Sequence, residues 1–421
     1  DKKTRQRHFT HENKKSGRKI SKKKFCSRRN NKDMKKICFI TTSRADYGTL
    51  RELIMEAVNT KKVLVHLIVS GSHISKTFGN TFKEIKIPKK HFLKRVKVST
   101  TNHSPFNVAQ SFSDCVKKFS QSLNRIRPNV MVVFGDRYEM FAAAVAAYII
   151  RIPLVHIAGG ETTLGSIDEG FRHSISKLSN LHFPVTKTYK KRLIQLGENP
   201  NTVFNYGSLN LSKIKNNIYL SKKQLEKKLK IRFLKKNLIL TYHPDTVNEK
   251  KCIKNLSLVL KSLKTFRNIN IIITAPNADV KGVEMINYIK NFIKKNNLKN
   301  FIYFKSFGSQ VFLSLLKIVD GVVGNSSSGV GEVPFFKIGT VNIGDRQKGR
   351  VMLPSIINCS LSKKNIIKSV KKILKQEFKN KINSKISEYG KGSAAKKIAK
   401  KIISFNMKKY EKKIFYDINN F

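Results

Sequence analysis

The feature that most constrains this chain is the stretch 130–173, which reads as strand, helix and strand. Short apolar runs at 130–134 and 152–157 have the length and composition of buried parallel strands. The alanine-rich segment 140–150 between them favours a helix. Such a unit requires a right-handed crossover within a parallel sheet. The sequence therefore predicts an α/β fold.

Charged side chains follow both strands of this unit. Asp136 and Arg137 come after the first strand, and Glu161 comes after the second. Because ligands of open α/β sheets bind beyond the carboxyl ends of the strands, we expect these side chains to share one crevice. Asp168 follows shortly after, and converging carboxylates suit proton transfer since burial and neighbouring charges separate their pKa values. The alternative is a helix cap, a surface ion pair and loop charges.

The length of 421 residues suits two domains, and a second α/β pattern begins near residue 237. Residues 1–33 carry 14 basic and 3 acidic residues without apolar periodicity, so we expect a disordered extension that is dispensable for activity. The predicted segments are a basic disordered extension at 1–33, an N-terminal α/β domain at 34–210, a C-terminal α/β domain at 211–392, and a C-terminal helix at 393–421.

The composition limits the class of protein. The net charge of +59 could indicate nucleic-acid binding, but the lysines are spread along the whole chain, which favours the composition of an AT-rich genome. The five cysteines are scattered without a CxxC pair, which argues against zinc or disulfides and for a reducing cytoplasm. No apolar run reaches the roughly 18 residues of a membrane span.

A polar turn at 43–48 follows the first predicted strand, and we expect the next helix at 49–58. This arrangement presents backbone N–H groups and a positive helix end to an anion, with Arg44 as a candidate ligand. The alternative role of Arg44 is a structural clamp. There is no GxGxxG motif here, so a standard dinucleotide site is not indicated.

The second half offers further candidates at predicted strand ends. The small-residue loop 324–329, with Ser326 and Ser327, could hold a diphosphate or could be a plain flexible loop. Glu332 lies near a predicted helix start, where it could complement the helix dipole or bind ribose hydroxyls. His243 ends a strand before a proline, and a structural role is as good an interpretation as a functional one.

Eight motifs, in this order, resemble those of the hydrolysing UDP-N-acetylglucosamine 2-epimerases, the enzymes that open bacterial sialic-acid and related nonulosonic-acid synthesis. They are SRADYG (43–48), GDRYE (135–139), GGE (159–161), IDEGFRH (167–173), YHP (242–244), PNAD (276–279), NSSSG (325–329) and GDRQKGR (344–350). The resemblance runs from Met34 almost to the C-terminus. It implies a glycosyltransferase-B architecture, with the active site between two Rossmann-like domains and the C-terminal helices packed back toward the first.

The resemblance also implies the chemistry. The family splits a UDP-activated 2-acetamido sugar into UDP and the free C2-inverted sugar through a glycal, without NAD or an essential metal. By motif, the implied acid/base groups are Asp136, Glu161 and Asp168, and His243 is expected near the leaving diphosphate. The implied substrate contacts are Arg44, Arg137, Ser326, Ser327 and Arg346 for phosphate or sugar, Glu332 for ribose, and Asn277 in the nucleotide pocket.

Several alternatives stay open at this stage. Ala158 and the segment 162–165 depart from the family pattern in the sugar-facing loop, which could shift specificity toward a 2,4-diacetamido sugar. A non-hydrolysing 2-epimerase is the nearest rival, although the SRADYG turn argues against it. An RNA-associated protein and a glycosyltransferase are more distant rivals. The family suggests a dimer or a tetramer and no membrane or nucleic-acid partner.

Overall fold

The computed structural model describes residues 34–74, 80–98, 104–164, 166–244, 251–276, 281–382 and 387–418. Within these ranges the chain builds two six-stranded sheets, and every strand pair in both is parallel. The extension predicted to be disordered at 1–33 lies outside the described residues. No helix among the described residues is long and apolar enough to cross a membrane.

The first sheet has the strand order β3-β2-β1-β4-β5-β6, which is the doubly wound Rossmann order. Its strands are β1 Lys35–Thr41, β2 Val63–Val69, β3 Phe92–Arg95, β4 Val130–Phe134, β5 Leu154–Ile157 and β6 Leu181–Phe183. The helices of this half are α1 Arg44–Val58, α2 Pro105–Ile126, α3 Tyr138–Ile149, α4 Asp168–Leu178, α5 Lys187–Gln195 and α6 Leu209–Lys215.

Helices cover both faces of the first sheet, as a parallel sheet requires. One face packs against apolar side chains of α1, and the other packs against α2 and α3. The alanines of α3 are fully buried, and their small side chains allow α3 to pack closely between α2 and the sheet. The predicted strand, helix and strand at 130–157 are therefore confirmed, with small shifts of their ends.

The second sheet repeats the same order, read as β9-β8-β7-β10-β11-β12. Its strands are β7 Lys236–Thr241, β8 Ile269–Thr274, β9 Phe301–Phe304, β10 Gly321–Gly324, β11 Gly339–Ile343 and β12 Ile356–Cys359. The remaining helices are α7 Lys222–Leu229, α8 Cys252–Leu263, α9 Gly282–Lys295, α10 Ser309–Leu316, α11 Ser327–Gly331, α12 Lys363–Ile373, α13 Gln376–Lys381 and α14 Ala394–Ser404.

Some element predictions are wrong. The segment 43–48 is not a turn before the helix, because Ser43 caps α1 by accepting the Asp46 backbone N–H at 3.2 Å, and the helix begins at Arg44. The sequence of residues 203–208 favours a short strand and loop, and in the structure this segment forms one isolated bridge, between His182 and Val203. Strands β3 and β12 were not predicted. The predicted boundary at 210 falls inside α6, and the domain limits stay predictions.

The C-terminal part of the chain returns to the first sheet. Helix α14 packs against α1, and Lys35 Nζ donates to the backbone oxygens of Ile402 and Ile403, both at 2.8 Å. These carbonyl groups lie at the end of α14, where a cation is favourable. The chain then continues to Lys413, which reaches the first half of the protein.

Lys413 closes a buried charge cluster between the C-terminal tail and the first domain. Its Nζ lies 2.6 Å from Oε2 of Glu198, and it also donates to the backbone oxygens of Ser176 and Ser179 at the end of α4. The Glu198 side chain is only 3% exposed, and Lys177 contacts it at 3.3 Å. Lys413 therefore ties the tail to both a buried carboxylate and the carboxyl end of α4.

We predict that Lys413→Met lowers the free energy of unfolding by about 3 kcal/mol, because it removes one partner of a buried ion pair. The neighbouring Lys412 is exposed, and Lys412→Met is expected to change stability by less than about 0.5 kcal/mol. Urea denaturation of both variants measures the difference. Equal stabilities of the two variants would contradict the assignment of Lys413 to a buried pair.

Candidate active site

A cavity of about 1510 Å³ lies between the carboxyl edges of the two sheets. Ten of the predicted site residues line it, from both halves of the chain: Arg44, Asp136, Arg137, Glu161, Asp168, His243, Ser326, Ser327, Glu332 and Arg346. Asn277 lies outside the described residues, and its predicted role stays a prediction. The structure thus gathers residues that are up to about 300 positions apart into one cleft.

The acidic side of the cleft is built by the first sheet and α4. Asp136 follows β4, Glu161 follows β5, and Asp168 is the first residue of α4. Ser166 donates its hydroxyl to Oδ2 of Asp168 at 2.7 Å. The prediction that these strand ends share one crevice is therefore correct in geometry.

The guanidinium group of Arg172 organises this side. Its side chain is 1% exposed, and its Nη2 pairs with Oδ2 of Asp136 in a short contact. Its Nη1 donates to Oε2 of Glu169 at 2.7 Å and to the backbone oxygen of Glu161 at 3.2 Å. Thr163 Oγ1 accepts a fourth bond from Nη2 at 2.9 Å. One side chain therefore contacts the segments that carry all three predicted acids.

Sequence reasoning did not select Arg172 or Glu169 as site residues. Arg172 follows Asp168 by four positions and Glu169 by three, and this spacing places all of them along one side of a helix. That pattern could have identified the cluster once α4 was predicted. The pairing with Asp136 could not be found this way, because 36 residues separate the two.

These contacts set the ionisation of the acids. Burial raises the pKa of Asp136, but the guanidinium groups of Arg172 and Arg350 outweigh this and hold its pKa below the usual range. Burial also raises the pKa of Glu169, and the bonds from His173, the Thr163 N–H and Arg172 bring it down to about 2. Both carboxylates are therefore ionised at neutral pH.

Glu161 receives its cation from the other half of the protein. Nη2 of Arg350 lies 3.2 Å from Oε2 of Glu161, and both side chains are largely buried. Tyr189 lies on the same wall, and burial and the charge of Glu161 raise the pKa of this tyrosine to about 12. The ion pair of Glu161 and Arg350 joins the acidic side to the segment that follows β11.

Arg137, predicted to contact the substrate, lies in the cleft wall with its guanidinium bound to another acid. Its Nε and Nη2 donate to the two carboxylate oxygens of Glu139 at 3.1 Å and 3.3 Å. The Glu139 side chain is 2% exposed. This geometry fixes the orientation of the Arg137 guanidinium at the entrance to α3.

The opposite side of the cleft is built around Asn325, at the end of β10. Its Oδ1 accepts the backbone N–H of His243 at 2.7 Å, and its Nδ2 donates to the backbone oxygen of His243 at 3.0 Å. Arg346 Nη1 and Gln347 Nε2 reach the backbone oxygen of Asn325 at 3.4 Å and 2.9 Å. Ser326 and Ser327 follow at the start of α11, where hydroxyl and N–H groups line the cavity.

Glu332 is buried at the inner end of this side, and its Oε1 lies 2.8 Å from Nζ of Lys213 on α6. The pair links the second sheet to α6 and shows that the carboxylate faces a cation within the cleft. No group of three or more His, Cys, Asp or Glu side chains that could hold a metal ion occurs in the described part of the chain.

One family model and two related proteins match most of this chain. The family model described as UDP-N-acetylglucosamine 2-epimerase matches residues 56–403. The hydrolysing GDP/UDP-N,N'-diacetylbacillosamine 2-epimerase of Campylobacter jejuni is 42% identical over 345 residues, which cover 82% of this chain and 89% of that protein. The hydrolysing UDP-N,N'-diacetylbacillosamine 2-epimerase of Legionella pneumophila is 32% identical over 367 residues, which cover 86% of this chain and 94% of that protein.

The crystal structure of UDP-GlcNAc 2-epimerase from Neisseria meningitidis bound to UDP-GlcNAc superposes with a TM-score of 0.74 at 20% identity. The superposition covers 88% of this chain and 100% of the Neisseria meningitidis chain. This likeness confirms the predicted fold of two Rossmann-like domains in the glycosyltransferase-B arrangement. With the family match over most of the length and two relatives above 30% identity, the chain belongs to the UDP-N-acetylglucosamine 2-epimerase family.

Proposed function

We propose that this protein is a hydrolysing 2-epimerase that converts a UDP-2,4-diacetamido-2,4,6-trideoxyglucose into UDP and the free C2-inverted sugar. The observation that carries the proposal is the cleft itself, where ionised carboxylates of one domain face the small-residue loop of the other. Two relatives with identities of 42% and 32% bear the name of hydrolysing diacetylbacillosamine epimerases, which supports both the hydrolytic outcome and this sugar.

The reaction requires positive charge to develop on the sugar. As the C1–O bond to UDP breaks, UDP leaves with the electron pair and an oxocarbenium-like centre forms. Removal of the C2 proton then gives a glycal. Water adds across the double bond, with oxygen at C1 and a proton at C2 from the opposite face. The net change is hydrolysis with inversion at C2.

The acidic side is suited to both steps. Asp136, held ionised by Arg172, stabilises the developing charge electrostatically, because a carboxylate fixed in place acts on a nearby cation without having to reorganise. Glu161 and Asp168, on the neighbouring loop and helix end, supply the acid/base groups for the C2 proton and for water.

The opposite side is suited to UDP. Ser326, Ser327, Arg44 and Arg346 contact the diphosphate, where arginine offers a fork geometry that lysine lacks, and His243 lies beside the leaving group. Glu332 accepts hydrogen bonds from the ribose hydroxyls in this proposal, and Lys213 holds its carboxylate in place. Asn277 completes the nucleotide pocket in this proposal.

Family membership favours this enzyme over the RNA-binding and glycosyltransferase alternatives, and the printed names of the two relatives favour the hydrolysing over the non-hydrolysing reaction. We further propose a cytoplasmic homo-oligomer, a dimer or a tetramer. The cytoplasmic part is supported by Cys38, Cys115 and Cys359, which are buried thiols outside any disulfide in the part of the chain that the structure describes.

Proton NMR in D2O tests the reaction directly. From the UDP-2,4-diacetamido-2,4,6-trideoxyglucose we expect UDP and a free 2,4-diacetamido-2,4,6-trideoxymannose that carries deuterium at C2. We expect UDP-N-acetylglucosamine to be turned over at least about tenfold more slowly, since loss of one apolar contact with the sugar is worth roughly 1–3 kcal/mol. Release of a UDP-linked C2 epimer would instead indicate the non-hydrolysing reaction. Faster turnover of UDP-N-acetylglucosamine would refute the assigned sugar.

Asp136→Asn is expected to lower kcat/KM by at least about 1,000-fold, roughly 4 kcal/mol, because the neutral amide cannot stabilise the oxocarbenium-like centre. The matched control is Asp114→Asn, which changes a surface acid that is paired with Lys118 on α2. Steady-state kinetics and melting temperatures are measured for both variants. A folded Asp136→Asn enzyme with nearly normal turnover would remove Asp136 from the mechanism.

The low pKa of Glu169 gives a stability prediction. Because this pKa is about 2 in the folded protein and 4.5 in its ordinary state, the ionised group stabilises the fold fully above pH 4.5. That contribution is lost as the pH falls toward 2. We therefore expect the stability deficit of Glu169→Gln to be largest near neutral pH and to shrink below pH 4.5, measured by urea denaturation at several pH values. A deficit that does not depend on pH would contradict it.

A further inference from the structure

The segment 344–350, here called the bridging loop, contacts both halves of the protein. At its beginning, Arg346 and Gln347 bind the backbone oxygen of Asn325, whose side chain is held by the backbone of His243. This end of the loop is therefore fixed to the side of the cleft that we assign to the diphosphate.

The other end of the bridging loop crosses to the acidic side. Arg350 pairs with Glu161 at 3.2 Å, and Thr162 donates its hydroxyl to the backbone oxygen of Gly349. Directly after the loop, the N–H of Val351 donates to the hydroxyl oxygen of Tyr189 at 2.9 Å. Three adjacent residues of the second domain thus bind three positions of the first domain.

We propose that Arg350 is a positioning residue that orients the carboxylate of Glu161 from the opposite domain, and that the bridging loop, fixed at its other end to Asn325, holds Arg350 in place. The inference rests on the proposed function, because it assigns Glu161 to the chemical step. It adds a role for Arg350, the last residue of the GDRQKGR motif, and a reason for its location on the opposite domain.

The surroundings of Arg350 fit a functional rather than a purely structural arginine. Its Nε is buried without a hydrogen-bond partner among the described residues, whereas a structural arginine normally satisfies all its donors. Its charge also lowers the pKa of Asp136, so it acts on two of the three acids. The side chain is 15% exposed, which limits screening of the pair by water.

The contact with Gly349 restricts how the domains can meet. A Cβ on Gly349 would lie 2.5 Å from Thr162 Oγ1, and the φ of Gly349 is +90°, a value that other residues rarely adopt. The close approach therefore requires glycine next to Arg350. The contact between Gly349 and Thr162 lies next to the pair formed by Arg350 and Glu161.

The test compares Arg350→Gln and Arg350→Lys with Lys348→Met, which removes an exposed cation from the same loop. We expect Arg350→Gln to lower kcat about 100-fold while the Kd for UDP, measured by calorimetry, changes less than about threefold. Arg350→Lys keeps the charge and is expected to recover only part of kcat, because an ammonium group lacks the planar fork. Lys348→Met is expected to leave kcat unchanged.

A double-mutant cycle separates positioning from an independent role. If Arg350 acts through Glu161, Arg350→Gln should change kcat less than about threefold in a Glu161→Gln background. The inference would be overturned if the kcat losses of Arg350→Gln and Glu161→Gln multiply in the double variant. It would also be overturned if Arg350→Gln lowers UDP affinity as much as it lowers kcat. Either result would leave the epimerase assignment intact. A wild-type protein without turnover of either UDP-sugar would overturn both.

Discussion

The fully buried guanidinium of Arg172 holds Asp136, Glu169 and the backbone of Glu161 in one arrangement. A buried cation of this kind is costly unless carboxylates and hydrogen-bond acceptors surround it, and here they do. The same contacts keep Asp136 and Glu169 ionised, although burial in the cleft alone raises the pKa values of both carboxyl groups. The arrangement of the acidic side of the cleft therefore depends on one side chain of α4.

The charge of the cleft differs from that of the whole chain. The protein has 85 basic and 26 acidic residues, yet its cleft gathers several of the acids, each beside an arginine or lysine. Two of these pairs, Glu161 with Arg350 and Glu332 with Lys213, join different halves of the chain. Ion pairs therefore place a cation beside these acids and also connect the domains.

Much of the fold could be predicted because its signals are local. The apolar runs of β4 and β5, the alanines of α3 and the polar residues that follow each strand are all readable along the chain. Strand β3 was missed because it is short and contains Lys94 and Arg95, so it lacks an apolar run. The polar residues 43–48 favour a turn, but Ser43 is the N-cap of α1, so the helix begins five residues before the predicted start at residue 49.

In the candidate site, too, some features could be predicted from local sequence signals and others could not. Its acids and its serine loop stand in motifs, and their predicted convergence on one cleft agrees with the structure. The partners of the acids could not be predicted, since Arg350 lies 189 positions from Glu161 and no periodicity connects them. Local patterns identify which residues carry charge, whereas the three-dimensional fold decides which charges are paired.

The contact of Lys413 with the end of α4 has a consequence for biosynthesis. Helix α4 carries Arg172, but the lysine that binds the carbonyl groups at its end lies 237 positions after Ser176 and 234 positions after Ser179. The first domain therefore cannot complete its own contacts before the second domain has been synthesised, because the lysine that binds the end of α4 follows that domain in the chain.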